Sequence, residues 1–203
     1  MIEKAKKKRK DAIITIPNII SLSRLILSPV LLYLILSKKT QAAFITFLIA
    51  ISTDFFDGAV ARMFKQKSNL GALLDPLGDK VLMTTSFVAL SLPSISHPNS
   101  IPVWLTAAVI GRDIYILLGA WAAFKLIGQK KFPPTVTGKA STALQMTTPL
   151  SVLFLNMINK ESYLLLFLFI LTLIMTVLSG IHYTIIGLKW LDKAECQNRK
   201  QTH

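Results

Sequence analysis

The chain has 203 residues, 52% of them hydrophobic and 16% charged, and a formal net charge of +13. A soluble globular domain of this length is seldom so apolar, so the composition argues against one and indicates a membrane protein. The one cysteine, Cys196, excludes an intramolecular disulfide and a cysteine-based metal cluster.

Apolar stretches near the roughly 20 residues that cross a bilayer core recur along the chain. They predict an all-α, polytopic membrane protein with six transmembrane helices, at residues 17–37, 41–62, 73–92, 101–127, 138–158 and 162–188. Because the connections are short, neighbouring helices should pack antiparallel. The predicted membrane domain occupies residues 13–190, between a basic tail at 1–12 and a second tail at 191–203.

Basic residues are distributed unevenly between the two ends of the predicted helices. Sixteen lie in or directly beside the two tails and the second and fourth connections, whereas three lie at the opposite ends: Lys38, Lys39 and Lys160. The positive-inside rule therefore predicts that both termini are cytoplasmic. A signal peptide is the alternative for the first basic and apolar run, but no small-residue cleavage site follows it. We expect the run Lys4–Lys10 to contact anionic lipid rather than nucleic acid, because it lies beside a predicted span.

Four of the ten acidic residues lie within 26 positions, in or beside the second and third predicted helices: Asp54, Asp57, Asp75 and Asp79. Four unpaired carboxylates would oppose membrane insertion by on the order of 10 kcal/mol. The first pair has i, i+3 spacing and the second i, i+4, so each pair shares one face of its helix. A hairpin of the two helices would bring all four carboxylates together near the cytoplasmic surface.

Hard divalent cations would compensate this charge, because Mg²⁺ and Mn²⁺ prefer oxygen ligands and no His or Cys is near in sequence. Two ions about 3.5 to 4 Å apart would form a phosphoryl-transfer site. One alternative is separate ion pairing with nearby cations, namely Arg62, Lys65, Lys67 and Lys80. A second alternative, from another functional class, is a divalent-cation channel or carrier. The outer halves of the helices show no acidic path that would favour it.

The carboxylates belong to a longer pattern. The segment Asp54-Phe-Phe-Asp57-Gly58-Ala-Val-Ala61-Arg62, followed at fixed spacing by Gly71, Asp75 and Asp79, agrees at all eight fixed positions with D-x2-D-G-x2-A-R-x8-G-x3-D-x3-D. This is the signature of the CDP-alcohol phosphotransferases, which the chain therefore resembles. The opening Ile16-Pro17-Asn18-Ile-Ile-Ser21-Leu-Ser-Arg24 is similar to the glycerol-acceptor branch of that family.

The resemblance implies a six-helix enzyme that transfers the phosphatidyl group of CDP-diacylglycerol to a glycerol-type alcohol. It implies that Asp54, Asp57 and Asp75 are the principal ligands of two Mg²⁺ or Mn²⁺ ions. Asp79 would be the general base and would also contact the second ion. The other substrate-binding residues that it implies near the motif and in the first helix are Gly58, Ala61, Arg62, Gly71, Asn18 and Ser21.

The identity of the acceptor depends on two further polar positions, Arg112 and Lys139. They would suit the phosphate of glycerol 3-phosphate, which we expect to be the acceptor. The structural alternative is that Arg112 only pairs with Asp113 or the aspartate cluster, and that Lys139 extends to the membrane surface. The stretches around Leu90, Ile101 and Gly111 are closer to CDP-dependent cardiolipin synthases, so phosphatidylglycerol is the alternative acceptor.

The resemblance also has implications for the location of the protein and for its oligomeric state. We expect a multi-pass protein in contact with membrane lipids, with its active site on the cytoplasmic side of a bacterial inner membrane. A homodimer is common in the family. We expect no nucleic-acid partner.

Overall fold

The computed structural model describes residues 16–64, 71–127 and 135–201, and their side chains over 22–53, 78–123, 125 and 135–190. The described residues form six α-helices and no strand, which confirms the all-α expectation. The helices are α1 (Ile16–Leu36), α2 (Thr40–Phe64), α3 (Gly71–Leu90), α4 (Val103–Ile127), α5 (Val136–Met157) and α6 (Leu164–Gln201).

The helices coincide with the six predicted segments to within two residues, except at one end. α6 continues to Gln201, beyond the predicted end at residue 188. Its last turns contain good helix formers that extend the helix past the apolar stretch. The assignment of residues 191–203 to a cytoplasmic tail stays a prediction, and the predicted tail at 1–12 lies outside the described residues.

The chain divides into two compact units, and residues Met1–Ile101 with Pro149–Ser162 form the first. Within it α1 packs against α2 and α3. Fully buried apolar side chains recur on the three helices, among them Leu31, Phe47 and Phe87. Close packing of these side chains stabilises the contacts among the three helices.

A polar network closes the first unit at the α3–α4 connection. Asn156 is 7% exposed and donates from Nδ2 to Ser96 Oγ (3.0 Å) and to the Asn99 carbonyl (2.8 Å). Its Oδ1 accepts from the Asn99 backbone N–H and side-chain amide, at 2.8 and 2.9 Å. Both polar atoms of the Asn156 amide are thus paired, as is usual for buried polar groups. These hydrogen bonds attach the α3–α4 connection to α5.

The second unit comprises Pro102–Thr148 and Tyr163–His203, and in it α4 packs against α6. Buried hydroxyl and amide side chains join α5 to α6. Thr148 Oγ1 lies 2.9 Å from Thr172 Oγ1, and Gln145 Nε2 donates to Thr176 Oγ1 at 3.3 Å. Small polar side chains of this kind are typical of contacts between membrane helices.

Among the described residues, two helical stretches are long and apolar enough to cross a membrane, Val103–Ala123 and Leu164–Trp190. Large apolar side chains on both are exposed, including Leu117 at 70% and Phe167 at 69%. The apolar helices and the exposed leucine and phenylalanine side chains are consistent with a membrane protein. The shorter apolar stretches Leu22–Leu36 and Thr40–Thr53 belong to α1 and α2.

Candidate active site

The four predicted carboxylates lie on two consecutive helices. Asp54 and Asp57 belong to α2, and Asp75 and Asp79 belong to α3. Asp57 lies seven residues before the end of α2 and Asp75 four residues after the start of α3, or about 10 and 6 Å along the helix axes. Both pairs are therefore near the helix ends that the α2–α3 connection joins.

The metal site itself stays a prediction. The side chains of Asp54, Asp57 and Asp75 lie outside the described residues, as do those of the other predicted substrate-binding residues of α1 to α3: Asn18, Ser21, Gly58, Ala61, Arg62 and Gly71. Among the side chains that are described, no group of three or more His, Cys, Asp or Glu residues could hold a metal ion. Three of the four predicted ligands lie outside these side chains.

Asp79 is the one described carboxylate of the four, and it forms an ion pair with Arg24 of α1. The Arg24 side chain is 2% exposed, whereas the Asp79 side chain is 34% exposed. A buried guanidinium stays charged, so it needs a partner, and the carboxylate supplies one. The sequence does not predict Arg24 as a partner of the carboxylates. Its position in an apolar helix nevertheless indicates that it has a partner or a function, because charged residues in such helices are usually paired.

A second polar cluster surrounds Arg112 of α4, in the second unit. Its guanidinium donates from Nη1 to Asp113 Oδ1 (2.8 Å) and from Nη2 to Ser179 Oγ on α6 (2.5 Å). Its side chain is 10% exposed, and its buried Nε has no hydrogen-bond partner among the described residues. The pairing with Asp113 agrees with the structural alternative, while the remaining donor could still bind an anion.

Tyr183 of α6 connects Arg112 to the start of α5. The Arg112 guanidinium lies 5.9 Å from the centre of the Tyr183 ring, a distance at which cation and ring attract. A Cβ atom at Gly138 would lie 3.0 Å from the Tyr183 hydroxyl and 2.9 Å from Thr135 Oγ1. Glycine is therefore needed where the tyrosine approaches α5.

Further polar side chains lie at the start of α5. Thr135 caps the helix, because its Oγ1 accepts from the Gly138 backbone N–H at 3.0 Å. Thr137 Oγ1 lies 2.9 Å from His182 Nδ1 of α6. The Lys139 side chain is exposed. We name Arg112, Asp113, Ser179 and Tyr183 the Arg112 cluster.

Sequence reasoning selected Arg112 and Lys139 but missed Ser179, His182 and Tyr183. These three residues lie in the last apolar segment, which the sequence predicts to be a span. Their signal in the sequence is the run of polar side chains Ser179, His182, Tyr183 and Thr184 within an otherwise apolar helix. Such residues in a membrane helix usually face protein or a polar cavity.

Comparison with known proteins agrees with the family resemblance of the carboxylate pattern. The CDP-alcohol phosphatidyltransferase family profile matches residues 14–182, which include the four carboxylates, Arg112 and Lys139. The CDP-diacylglycerol--glycerol-3-phosphate 3-phosphatidyltransferase of Aquifex aeolicus is 35% identical over 181 residues, covering 88% of this chain and 98% of that protein.

Cardiolipin synthases are similar at nearly the same level. The rat cardiolipin synthase (CMP-forming) is 36% identical over 154 residues, or 75% of this chain, and the human protein is 35% identical over the same length. The chain spans about half of each of these two proteins, 48%.

Proposed function

The chain belongs to the CDP-alcohol phosphatidyltransferase family, and on that premise we propose that it transfers the phosphatidyl group of CDP-diacylglycerol to glycerol 3-phosphate. The products would be phosphatidylglycerophosphate and CMP. Membership makes the chain a transferase of phospholipid biosynthesis. The observation that carries the proposal is the complete carboxylate pattern from Asp54 to Asp79 within the matched region.

The carboxylate pattern fits a divalent metal centre. An all-oxygen donor set suits Mg²⁺ or Mn²⁺, and the helix bounds keep both aspartate pairs near the same connection. Asp54, Asp57 and Asp75 would hold two ions, with Asp79 in contact with the second. When bound, such ions would offset negative charge on the diphosphate and on the departing CMP.

Asp79 would act as the general base of the transfer. Its carboxylate takes the proton of the acceptor hydroxyl as the hydroxyl oxygen forms a bond to the lipid-side phosphorus. The bond from that phosphorus to the bridging oxygen of the diphosphate breaks, and CMP leaves with that oxygen. General-base assistance is typically worth about 10² to 10⁴ in rate, and the direct displacement needs no covalent intermediate. The partial exposure of Asp79 is consistent with access to an acceptor.

The Arg112 cluster is the proposed site for the phosphate of the acceptor. Arginine binds phosphate through paired N–H donors, and the exposed Lys139 would add a second positive charge. Asp113 Oδ1 accepts a hydrogen bond from Arg112 Nη1 at 2.8 Å. A dianionic phosphate would compete with this single carboxylate and could also engage the Nε group. The Tyr183 ring would keep the guanidinium in place from the other side.

We further propose six membrane spans with both termini cytoplasmic and the active site on the cytoplasmic side of a bacterial inner membrane. The distribution of basic residues, sixteen against three, supports this topology. Trp104 and Trp121 of α4 are both exposed and lie about 25 Å apart along the helix axis, as expected of residues at the two interfaces. Lys125 lies 5.2 Å from the Trp121 ring, at the end predicted to be cytoplasmic.

Cardiolipin synthesis from phosphatidylglycerol is the second candidate function. It is favoured by the similarity to the rat and human cardiolipin synthases, at 36% and 35% identity. Membership in a transferase family argues against the third hypothesis, a divalent-cation channel or carrier. Contact with membrane lipids follows from the proposed topology, while a homodimer stays a prediction.

The test is an acceptor assay with the purified protein in detergent micelles that contain CDP-diacylglycerol and Mg²⁺. Radiolabelled glycerol 3-phosphate or phosphatidylglycerol is supplied, and labelled lipid and CMP are measured. We expect label from glycerol 3-phosphate to enter phosphatidylglycerophosphate in equal amount to the CMP released. Cardiolipin formed from phosphatidylglycerol alone would establish the second candidate, and no CMP release with either acceptor would contradict both.

A further inference from the structure

Arg24 is a buried cation to which the proposed mechanism gives no role. It lies on α1, outside the carboxylate motif, and its side chain is 2% exposed. Among the largest fully buried side chains of the described residues, it is the one that carries a charge. A guanidinium cannot lose its charge in a protein, so its burial beside Asp79 has a substantial cost that the ion pair offsets.

The ion pair joins the two helices that form the main contact of the first unit, α1 and α3. Arg24 approaches through Nη1 toward Oδ1 of Asp79. Because the Asp79 side chain remains 34% exposed, the guanidinium covers part of the carboxylate and leaves part of it open. One side of Asp79 is thus held by the protein interior, and the open side could contact another group.

The mobility of the two partners differs. Arg24 is fixed by burial, and the next turn of α1 is fixed by Ser28, whose Oγ donates to the Arg24 carbonyl at 3.0 Å. A half-exposed aspartate alone could rotate among several rotamers. An ion pair with a buried guanidinium restricts that rotation, in the same way that a third group orients the base of a catalytic pair.

We propose that Arg24 is a positioning residue for the transfer reaction: it holds the Asp79 carboxylate in the orientation that accepts the proton of the acceptor hydroxyl. The catalytic part of this inference rests on the proposed function. Arg24 acts chiefly through Asp79 and does not contact the acceptor. A purely structural role, in which Arg24 only joins α1 to α3, would have different consequences.

A double-mutant cycle separates the two roles. The variants are Arg24→Gln, Arg24→Lys, Asp79→Asn and the double variant Arg24→Gln/Asp79→Asn, and Ser28→Ala is the control on the same helix. For each we would measure kcat and KM from CMP release with both substrates varied. We would also measure the melting temperature of the purified protein in EDTA, a readout that needs neither metal nor activity.

We expect Arg24→Gln to lower kcat roughly 10- to 100-fold, the usual effect of removing a group that orients another, with KM little changed. Arg24→Lys should recover part of the activity, because it keeps the charge but not the planar geometry. The double variant should be no slower than Asp79→Asn alone, since the base is already absent. In EDTA the two single losses in melting temperature should not add, because either change breaks the same pair. Ser28→Ala should retain kcat.

Three results would overturn the inference. The first is a double variant whose loss in kcat equals the product of the two single losses, because Arg24 would then act independently of Asp79. The second is normal kcat in Arg24→Gln. The third is a loss of kcat in both Arg24 variants that is explained entirely by their lower melting temperatures. If Arg24→Gln does not fold, Arg24→Lys with Asp79→Asn completes the cycle. Absence of CMP release by the wild type would contradict the proposed function, whereas additive melting losses in EDTA would contradict the pairing itself.

Discussion

Replacing Gly138 by alanine tests the packing of Tyr183 against α5. The added Cβ would lie 2.9 Å from Thr135 Oγ1, 3.0 Å from the Tyr183 hydroxyl and 3.2 Å from Tyr183 Cε2. A carbon atom this close to the two oxygens and the ring carbon is repelled by them, so at least one of the two side chains must move. Overpacking of this kind typically costs about 1 to 3 kcal/mol.

Two other contributions change this figure in opposite directions. Displacing the Thr135 hydroxyl would weaken the helix cap that accepts from the Gly138 N–H, a loss of about 1 kcal/mol. Alanine favours helix over glycine by about the same amount, so these two effects nearly cancel. The net expectation for Gly138→Ala is a destabilisation of about 1 to 3 kcal/mol, or on the order of 5 °C in melting temperature for a chain of this size.

The assay is thermal unfolding in detergent together with the KM for the acceptor. Because Tyr183 lies over Arg112, its displacement should also raise KM for glycerol 3-phosphate. Gly119→Ala is the matched control, since a Cβ there would meet nothing within 4 Å among the described residues. Equal melting temperatures and equal KM values for the two variants would refute the reasoning.

Three further predictions follow from the proposed site. Arg112→Ala should raise KM for glycerol 3-phosphate roughly 10- to 100-fold, because a hydrogen-bonded charge pair is lost. Asp113→Asn should leave KM unchanged or lower it, because Asp113 competes with the phosphate for Arg112. Equal increases in KM for the two variants in steady-state kinetics would contradict this. EDTA should abolish CMP release, and added Mg²⁺ or Mn²⁺ should restore it. Zn²⁺ should restore it poorly, because the predicted ligands are all oxygen atoms. Activity that persists in excess chelator would exclude the metal centre. In a Cys196→Ser background, Lys67→Cys should react with an impermeant thiol reagent from the cytoplasmic side, and His97→Cys should react from the outside. Labelling of position 67 from the outside would contradict the predicted topology.

The helices were predictable because their lengths and apolar content follow from simple requirements. A segment that crosses a bilayer needs roughly 20 apolar residues, and the connections carry Pro, Gly or charged residues. The predicted span 162–188 agrees to within two residues with the apolar stretch Leu164–Trp190, but α6 itself continues to Gln201. Apolar character predicts only the span, whereas residues such as Lys193, Glu195 and Arg199 favour a helix that continues beyond it.

The partners of the polar side chains were less predictable. The pair Arg24–Asp79 joins α1 to α3 across 55 positions of sequence, and nothing in local spacing indicates which of several cations would be buried there. Likewise, Tyr183 reaches Gly138 and Arg112 only because α6 packs beside α4 and α5. Such contacts depend on how the helices pack. A residue pattern along one helix carries no information about that packing.

The central claim is that Asp54 to Asp79 form a metal-dependent centre in which Asp79 is the base. The most direct measurement is a Mg²⁺ titration of CMP release by Asp57→Asn and Asp79→Asn at saturating CDP-diacylglycerol. Loss of a principal ligand should be partly overcome by high Mg²⁺, so Asp57→Asn should recover activity. Asp79→Asn should stay about 10² to 10⁴ slower than the wild type at every concentration, because an amide cannot take the proton. Equal recovery of both variants would contradict the account, since Asp79 would then be a further metal ligand and not the base.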